Sequence, residues 1–496
     1  MGTDALNMIR QGQGQAPLDG GAVLLDAAQQ DWLEAAADMG DERCALMDRY
    51  ESYYCGEQNV RLTDRAREYL EAGDVEFAEN FCEPIVDSIA DRMCVEGFTV
   101  TRNGEPQDDL TDLVNRWWSE NRMAGPAGTV HVMTLVLSEY FVFVDWNTAE
   151  NRPDLVGNDP RMVRAHYADD DPQTPLYVVK RWNTTEVGPA NPQGREIQRM
   201  NVYWPDRIER YWNGTSSRRG WDIWIDEDEQ RWPVPWVTAD GRPRGVPVAV
   251  FRNRPLGRST GRSELRSDIP MQDALNKLVV DLMMILDAMA WQQRWVIGQS
   301  KASANFPNAP GDVWFFPSEN ASAGTFPPSD PSGVLASIES LLSRRARRAR
   351  VPLHLLTGGD VPSGEALRSA EAPLVKKVQD RMTGAGDAWE DAMRTALMLA
   401  GEDVTGIRIE TVWETPEYRD ESERADAALK WKDIGVSDET LMEMNGFDVE
   451  KERARKEDSG GDALGAVRQA QGGVNDLAPF PPQQNDTDTT MEDGQA

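Results

Sequence analysis

The sequence is poor in histidine, cysteine and positive charge, and each shortage removes a class of function. Its three histidines, His131, His166 and His354, stand far apart, so no metal centre built on histidine is expected. The four cysteines, Cys44, Cys55, Cys82 and Cys94, all fall in the first fifth of the chain, and no pair has the two-residue spacing of a zinc knuckle or redox dithiol. That is no disulfide scaffold, and it fits a reducing compartment or indifference to redox state. Lys and Arg number 52 against 84 Asp and Glu, a net charge of −32. Such a chain keeps itself soluble and disfavours non-specific attraction to nucleic acid or anionic membrane. A high-affinity DNA binder would be basic, because phosphate neutralisation supplies much of its affinity.

Long apolar runs are also missing. The strongest, Leu278 to Trp291, is interrupted by Asp281 and Asp287 and falls short of a bilayer. The first fifteen residues lack the cationic start and apolar core of a signal peptide. No Walker A loop, Gly-x-Gly-x-x-Gly fingerprint or Gly-x-Ser-x-Gly elbow occurs. An ATPase, a dehydrogenase and an α/β hydrolase are therefore not expected, and no catalytic, cofactor-binding or metal-binding residue is assigned.

What is present is a 496-residue chain, long enough for two to four domains, of mixed character, α+β. Residues 1–20 read as a flexible arm rich in Gly and Gln. Helical patterning follows over Gly21 to Tyr54 and is closed by Tyr53-Tyr54-Cys55-Gly56. A second helix is expected over Ala78 to Met93, with Phe81, Ile85, Val86, Ile89 and Met93 on one face. Further helices are expected over Leu110 to Glu120 and Ala127 to Leu137. Short β-prone runs then occupy Glu139 to Trp146, Pro175 to Trp182, Met200 to Trp212, Trp221 to Ile225 and Gly245 to Asn253. Six tryptophans lie between Trp204 and Trp236. We read them as cover for an antiparallel sheet rather than a stacking platform, on the ground that no basic matrix surrounds them.

Met271 to Gly298 can form about 26 helical residues, roughly 39 Å. It is apolar on most sides, so it needs burial nearly all round, in a bundle or at a subunit interface. Residues 299–332 are proline-rich, with a small strand expected at Gly311 to Pro317. Gly333 to Arg350 reads as a helix, Gly364 to Ala400 as a longer one with Gly384 and Gly386 as weak points, and Ile407 onward as an isolated strand. Two short helices follow, over Asp420 to Ile434 and Asp438 to Met444. From Ser459 the chain reads as a disordered acidic tail.

Three clusters carry possible chemistry. The carboxylate runs Asp169 to Asp171, near His166, and Asp226 to Glu229 are read as solvated turns, although a two-metal nuclease would use such groups. Arg344, Arg345, Arg347, Arg348 and Arg350 spread over about 220° at 100° per residue, too wide for one stripe. They suit nucleic acid on one side and salt bridges within or between subunits on the other. Val351 to Leu367, VPLHLLTGGDVPSGEAL, reads as a mobile loop slung between helices, with Ser363 as N-cap of the next one.

The order of these elements resembles a tailed-bacteriophage portal protein of the SPP1-like type. The match is carried by YYCG (Tyr53 to Gly56), NFCEPIVDSIADRMCVEGF (Asn80 to Phe98), GVPVAVFRNRP (Gly245 to Pro255) and GRSELRSDIPMQDALNKLVVD (Gly261 to Asp281). The loop segment above and VWETPEYRDESERADAALKWKDIGVSDETL (Val412 to Leu441) continue it.

The resemblance implies a homo-oligomeric ring, usually of twelve subunits, at one capsid vertex. It implies a wing over 21–262, a first stem helix over 263–298, a clip over 299–332 and a second stem helix over 333–350. A tunnel loop over 351–363, a long helix and wing strand over 364–416, a crown over 417–458 and the tail over 459–496 complete it. Candidate tunnel-loop residues are His354, Leu355, Leu356, Thr357, Gly358, Gly359, Asp360 and Ser363. The arginine run is the candidate channel or intersubunit group, and Trp314, Phe315 and Phe316 are candidates for clip docking. Implied partners are double-stranded DNA, in transit and without base readout, the terminase large subunit, head-completion or connector proteins, and the major capsid and scaffolding proteins. No membrane and no cofactor are implied. The competing expectations are a metal-dependent hydrolase or nuclease with an acidic cleft, and a capsid adaptor without a channel.

Overall fold

The computed structural model describes residues 25–58, 63–73, 79–188, 191–214, 220–225, 232–257, 260–290, 294–297, 322–326, 330–358, 364–417, 428–444, 449 and 453. The chain divides into two units, Met1–Pro416 and Glu417–Ala496.

In the first unit, helices α1 (Ala27–Ala37) and α2 (Asp41–Tyr54) lead, followed by α3 (Asp64–Gly73) and α4 (Cys82–Ala90). One helix was expected over Gly21 to Tyr54. Gly40, at φ +75°, breaks it, and Asp26 caps α1 through a reciprocal box with Gln29. α4 is shorter than the pattern suggested, and α3 was not foreseen. Ile85, Val86 and Ile89 of α4 are buried as expected, with Met93 just beyond it.

Strands β1 (Val95–Arg102) and β2 (Glu105–Pro106), helices α5 (Asp108–Glu120) and α6 (Ala124–Leu137), and strands β3 (Glu139–Asn147) and β4 (Arg152–Asn158) come next. Then follow β5 (Val163–Tyr167), β6 (Pro175–Gly188), β7 (Asn191–Tyr203), β8 (Arg207–Gly214), β9 (Asp222–Ile223), β10 (Val234–Pro235) and β11 (Val248–Arg252). β4 and β5 were missed. The run Met200 to Trp212 is two strands that turn between Tyr203 and Arg207, and Trp221 to Ile225 contributes two strand residues.

A six-stranded antiparallel sheet has the order β10-β8-β7-β6-β5, with β9 on β8. A second sheet is β11-β3-β4. The strand expected to stand alone, β14 (Ile407–Trp413), pairs antiparallel with β1, Ile409 facing Val100. A strand alternating apolar and polar residues has one face to bury, and it does so here from three hundred residues away.

Helix α7 (Ile269–Ala290) ends eight residues before the expected limit. The chain continues as strand β12 (Arg294–Ile297), paired with β13 (Ser322–Thr325). Trp295, Val296 and Ile297 are β-prone residues, which favours the strand they form. Gly311 to Pro317 lies outside the described residues. α8 (Ser332–Ala349), the short α9 (Leu353–Thr357) and α10 (Gly364–Ala400) complete the unit.

α10 runs unbroken through Pro373, Gly384 and Gly386. The glycines do not interrupt the helix, because packing outweighs propensity. Leu374, Val378, Trp389, Met393, Ala396 and Leu397 are fully buried in the largest core. Trp389 meets Trp118 edge-on at 4.9 Å and Phe251 at 4.7 Å, and its indole N–H donates to His131 Nε2 at 2.9 Å. Burial pushes His131 down to about 4, so the imidazole is neutral, as that bond requires.

In the second unit a helix covers 428–433 and another, α11, spans Asp438–Met444. Gly435, at φ +98°, follows the first, and Ser437 accepts from the Thr440 N–H at 3.3 Å at the start of the second. Gly446 lies outside the described residues.

Candidate channel segments and the polar junction that holds them

α7 and α8 form an antiparallel pair. The strands that continue from the end of α7 and lead into α8 are bonded to each other. At the opposite end, Arg345 of α8 reaches the start of α7.

That end is a buried polar junction. Arg345 is 1% exposed. Its Nε donates to Asp268 Oδ1 at 3.0 Å, a second nitrogen bonds Asp268 Oδ2, and Nη1 donates to Gln272 Oε1 at 2.5 Å. The planar fork of an arginine suits such a site, where several acceptors converge. Cys82 Sγ lies 3.3 Å from Nη2. Burial, with Asp268 beside it, pushes the Cys82 thiol up to about 12, so it stays protonated and unreactive. Gln272 also accepts from the Phe81 N–H at 3.1 Å, and Asn276, one turn on, accepts from the Glu79 N–H at 3.1 Å. Two buried amides of α7 thus fix the approach to α4.

A second ion cluster sits beside it. Glu264, in the 3-10 turn Glu264–Ser267, is bonded by Lys377 Nζ at 2.9 Å and Arg381 Nη2 at 2.8 Å, both from α10. Burial pushes the Glu264 carboxyl up, but the two cations outweigh it and hold it at about 2. Lys377 also donates to the Ala349 carbonyl at 3.0 Å, satisfying one of the open acceptors at the end of α8.

The arginine run is divided by this geometry. Arg345 lies inside the chain, so it faces neither a channel nor a neighbour. Its salt-bridge reading holds, within one chain. Arg344, Arg347, Arg348 and Arg350 are exposed. Arg350 takes the left-handed conformation at φ +58° and ends α8, with the Val351 N–H closing back on the Ala346 carbonyl at 3.0 Å.

Leu353 to Thr357 was expected to be loop and is the one-and-a-half-turn helix α9. Pro352 sets its first turn and Gly358, at φ +61°, caps its end. Leu356 faces the core, while Leu353 and Leu355 are exposed. His354 Nε2 stands 3.7 Å from Glu371 of α10, which Arg92 also approaches at 3.7 Å. Gly359, Asp360 and Ser363, and likewise Trp314, Phe315 and Phe316, lie outside the described residues.

The carboxylate run Asp169 to Asp171 is an exposed turn. Asp171 accepts from the Gln173 and Thr174 N–H groups at 2.9 and 3.2 Å. His166 stacks on Tyr177 at 4.5 Å, and burial holds it down at about 4. Asp226 to Glu229 lie outside the described residues.

Sequence reading missed Asp268, Gln272, Asn276, Glu264, Lys377 and Arg381. One signal was available. Gln272 and Asn276 are four residues apart on a largely apolar helix, which puts two amides on one face.

Comparison with known proteins matches residues 37–461 to the family described as phage portal protein, SPP1 Gp6-like. The portal protein of Mycobacterium phage D29 is 26% identical over 404 residues, covering 74% of this chain and 78% of the relative. The portal protein of Mycobacterium phage L5 is 26% identical over 366 residues, covering 70% of each.

Proposed function

The chain belongs to the SPP1 Gp6-like family of phage portal proteins, and from that premise we propose that copies of it close into a ring, most simply of twelve, at one capsid vertex. Double-stranded DNA passes through the central hole during packaging, driven by a separate terminase, and again during ejection. The chain itself is a structural conduit and carries out no catalysis. Terminase large subunit, then head-completion or connector proteins, dock on the clip, residues 299–332. Major capsid and scaffolding proteins surround the wing.

One observation carries the ring reading beyond the family match. Leu278, Val279, Leu282, Met283, Met284 and Ile285 of α7 are each only half-buried, and Leu286 is 47% exposed. A helix apolar on most sides needs more cover than one chain gives it, and a neighbouring copy supplies it. In this reading α7 and α8 are the stem, and the Arg345–Asp268 and Glu264–Lys377–Arg381 clusters fix the stem to the wing. α9 and the residues up to Ser363 are the tunnel segment. The net charge of −32 keeps contact with DNA weak. Arg344, Arg347, Arg348 and Arg350 are the cations placed to touch DNA or a neighbour. Residues 417–458 form the crown.

Electron microscopy of the purified protein tests this. Rings with a central hole are expected. A monodisperse monomer at micromolar concentration would overturn the reading. An acidic-cleft hydrolase gains no support from the exposed Asp169 to Asp171 turn, where Asp171 bonds the backbone N–H groups of Gln173 and Thr174.

A further inference from the structure

The tryptophan-rich sheet is the basic island of an acidic chain. Residues 175–252 hold 12 Lys and Arg against 10 Asp and Glu, while the rest of the chain holds 40 against 74.

The two faces of the six-stranded sheet differ. On one, Val179, Met200, Val202, Trp204 and Tyr211 pack under Leu33, Ala36 and Ala37 of α1. On the other, register sets Trp182 opposite Arg199 and Arg199 opposite Trp212, with Lys180, Asn201 and Arg210 as the adjoining row. Residues directly opposite in a ladder share a face. At one end this face is closed by Phe143 and Tyr203, whose rings meet at 5.0 Å. Beyond them Lys180 Nζ lies 5.2 Å from the Phe143 ring and 5.4 Å from Trp182, and Arg199 lies 3.8 Å from Trp224. All of these residues are half-buried. Asp222, opposite Trp212, is the carboxylate in this ladder among the residues whose side chains are described.

The outer side of α1 is the reverse. Asp31 and Glu34 are exposed and lie about 60° apart at 100° per residue, away from the buried Leu33, Ala36 and Ala37, and Asp38, the extended C-cap that accepts from the Gly40 N–H at 2.8 Å, is exposed just beyond them. No Lys or Arg occurs between Leu25 and Glu42.

One layer, α1 on the sheet, thus carries an acidic stripe on one side and a cation–tryptophan face on the other. A ring is built from head-to-tail contacts, in which two different surfaces of the same chain must match. We infer that the stripe Asp31, Glu34 and Asp38 of one copy docks on the face Lys180, Arg199 and Arg210 of the next. The inference rests on the ring reading above. Nucleic acid is the poorer fit. Trp224 is already covered by a guanidinium, so a base cannot stack there. A guanidinium has five donors, so its contacts within the chain leave some for a carboxylate. The ring registers through this pairing, while apolar stem burial supplies most of the affinity.

The test uses the full chain in two variants, Asp31→Lys with Glu34→Lys, and Lys180→Glu with Arg199→Glu. Circular dichroism and the unfolding temperature confirm that each is folded. Ring fraction is then counted by electron microscopy and native mass spectrometry. Each variant alone is expected to lose rings by about tenfold or more, since like charges then face each other. An equimolar mixture is expected to regain them, because every contact in an alternating ring again joins opposite charges. Rings at the wild-type level from either variant alone would overturn the inference, as would a mixture that stays unassembled. So would a Lys180→Glu, Arg199→Glu variant that assembles normally but loses binding to a 30-base-pair duplex, which would assign the face to nucleic acid. Absence of rings from the wild-type chain overturns the ring reading, and this inference with it.

Discussion

Arg345 and Asp268 form a fully buried ion pair that ties the end of α8 to the start of α7. Seventy-seven residues separate them in sequence, yet the guanidinium spans both carboxylate oxygens. Four other arginines crowd the same seven-residue stretch, and all four point to solvent. One residue of the run is buried in the fold and the rest lie on its surface.

Arg345→Ala leaves Asp268 buried without its counter-ion. It is expected to destabilise the chain by about 3–5 kcal/mol, whereas Arg344→Ala is expected to stay within about 0.5 kcal/mol. The pair Arg345→Met with Asp268→Leu, which removes both charges, should recover most of the loss. Urea unfolding followed by tryptophan fluorescence measures all three. Equal effects from Arg344→Ala and Arg345→Ala would refute the division of the run.

The helices of the body and the class of the fold were legible because their apolar residues repeat every three or four positions, as in Ile85, Val86 and Ile89. The run of strand segments was legible for the same kind of reason. What could not be read was pairing over distance. Nothing near Ile407 announces Val95 to Arg102 as its partner, and nothing near Arg345 announces Asp268. The end of α7 was misplaced because Arg294 to Ile297 is apolar enough to extend a helical pattern, while its β-branched and aromatic residues favour the strand it forms. The charge of the sheet was hidden by the whole-chain total of −32, an average over regions of opposite sign.

Gly261 lies where the backbone passes Ser138 and Asn253. A Cβ there would sit 1.9 Å from the Ser138 carbonyl oxygen and 3.0 Å from the Asn253 backbone nitrogen and oxygen. No rotamer relieves a clash with main chain. Gly261→Ala is therefore expected to cost more than about 3 kcal/mol, among the largest effects of any single methyl group in the chain. The neighbouring bond from the Asn253 N–H to the Ser138 carbonyl at 2.9 Å should open, which amide hydrogen exchange at Asn253 would report. An unchanged unfolding midpoint would contradict the geometry.

Gly384 is the opposite case. It lies inside α10, and the nearest atom to a built Cβ is the Arg252 carbonyl oxygen at 4.0 Å. Alanine fits without displacement and gains helix propensity, so Gly384→Ala is expected to stabilise by about 0.5–1 kcal/mol. A rise in unfolding temperature would bear this out, and an unchanged or lowered one would contradict it.

Glu264 makes stability depend on acidity in a defined window. Its folded carboxyl is held at about 2, because Lys377 and Arg381 outweigh the burial that would raise it, against about 4.5 for a free glutamate. A group depressed in the folded state contributes fully above its unfolded value. That contribution is lost as the pH falls from about 4.5 to 2. The wild-type chain should lose on the order of 3 kcal/mol from this group across the window. Glu264→Gln begins lower at pH 7, since it leaves two buried cations without their anion. It then declines less steeply, because that proton no longer binds. Burial-raised carboxylates such as Glu79 and Asp391 work in the other direction, but they are common to both chains and cancel in the difference. Unfolding free energies at pH 7, 4.5 and 3 for the two proteins should converge as the pH falls. Parallel curves would place the charge balance of this junction elsewhere.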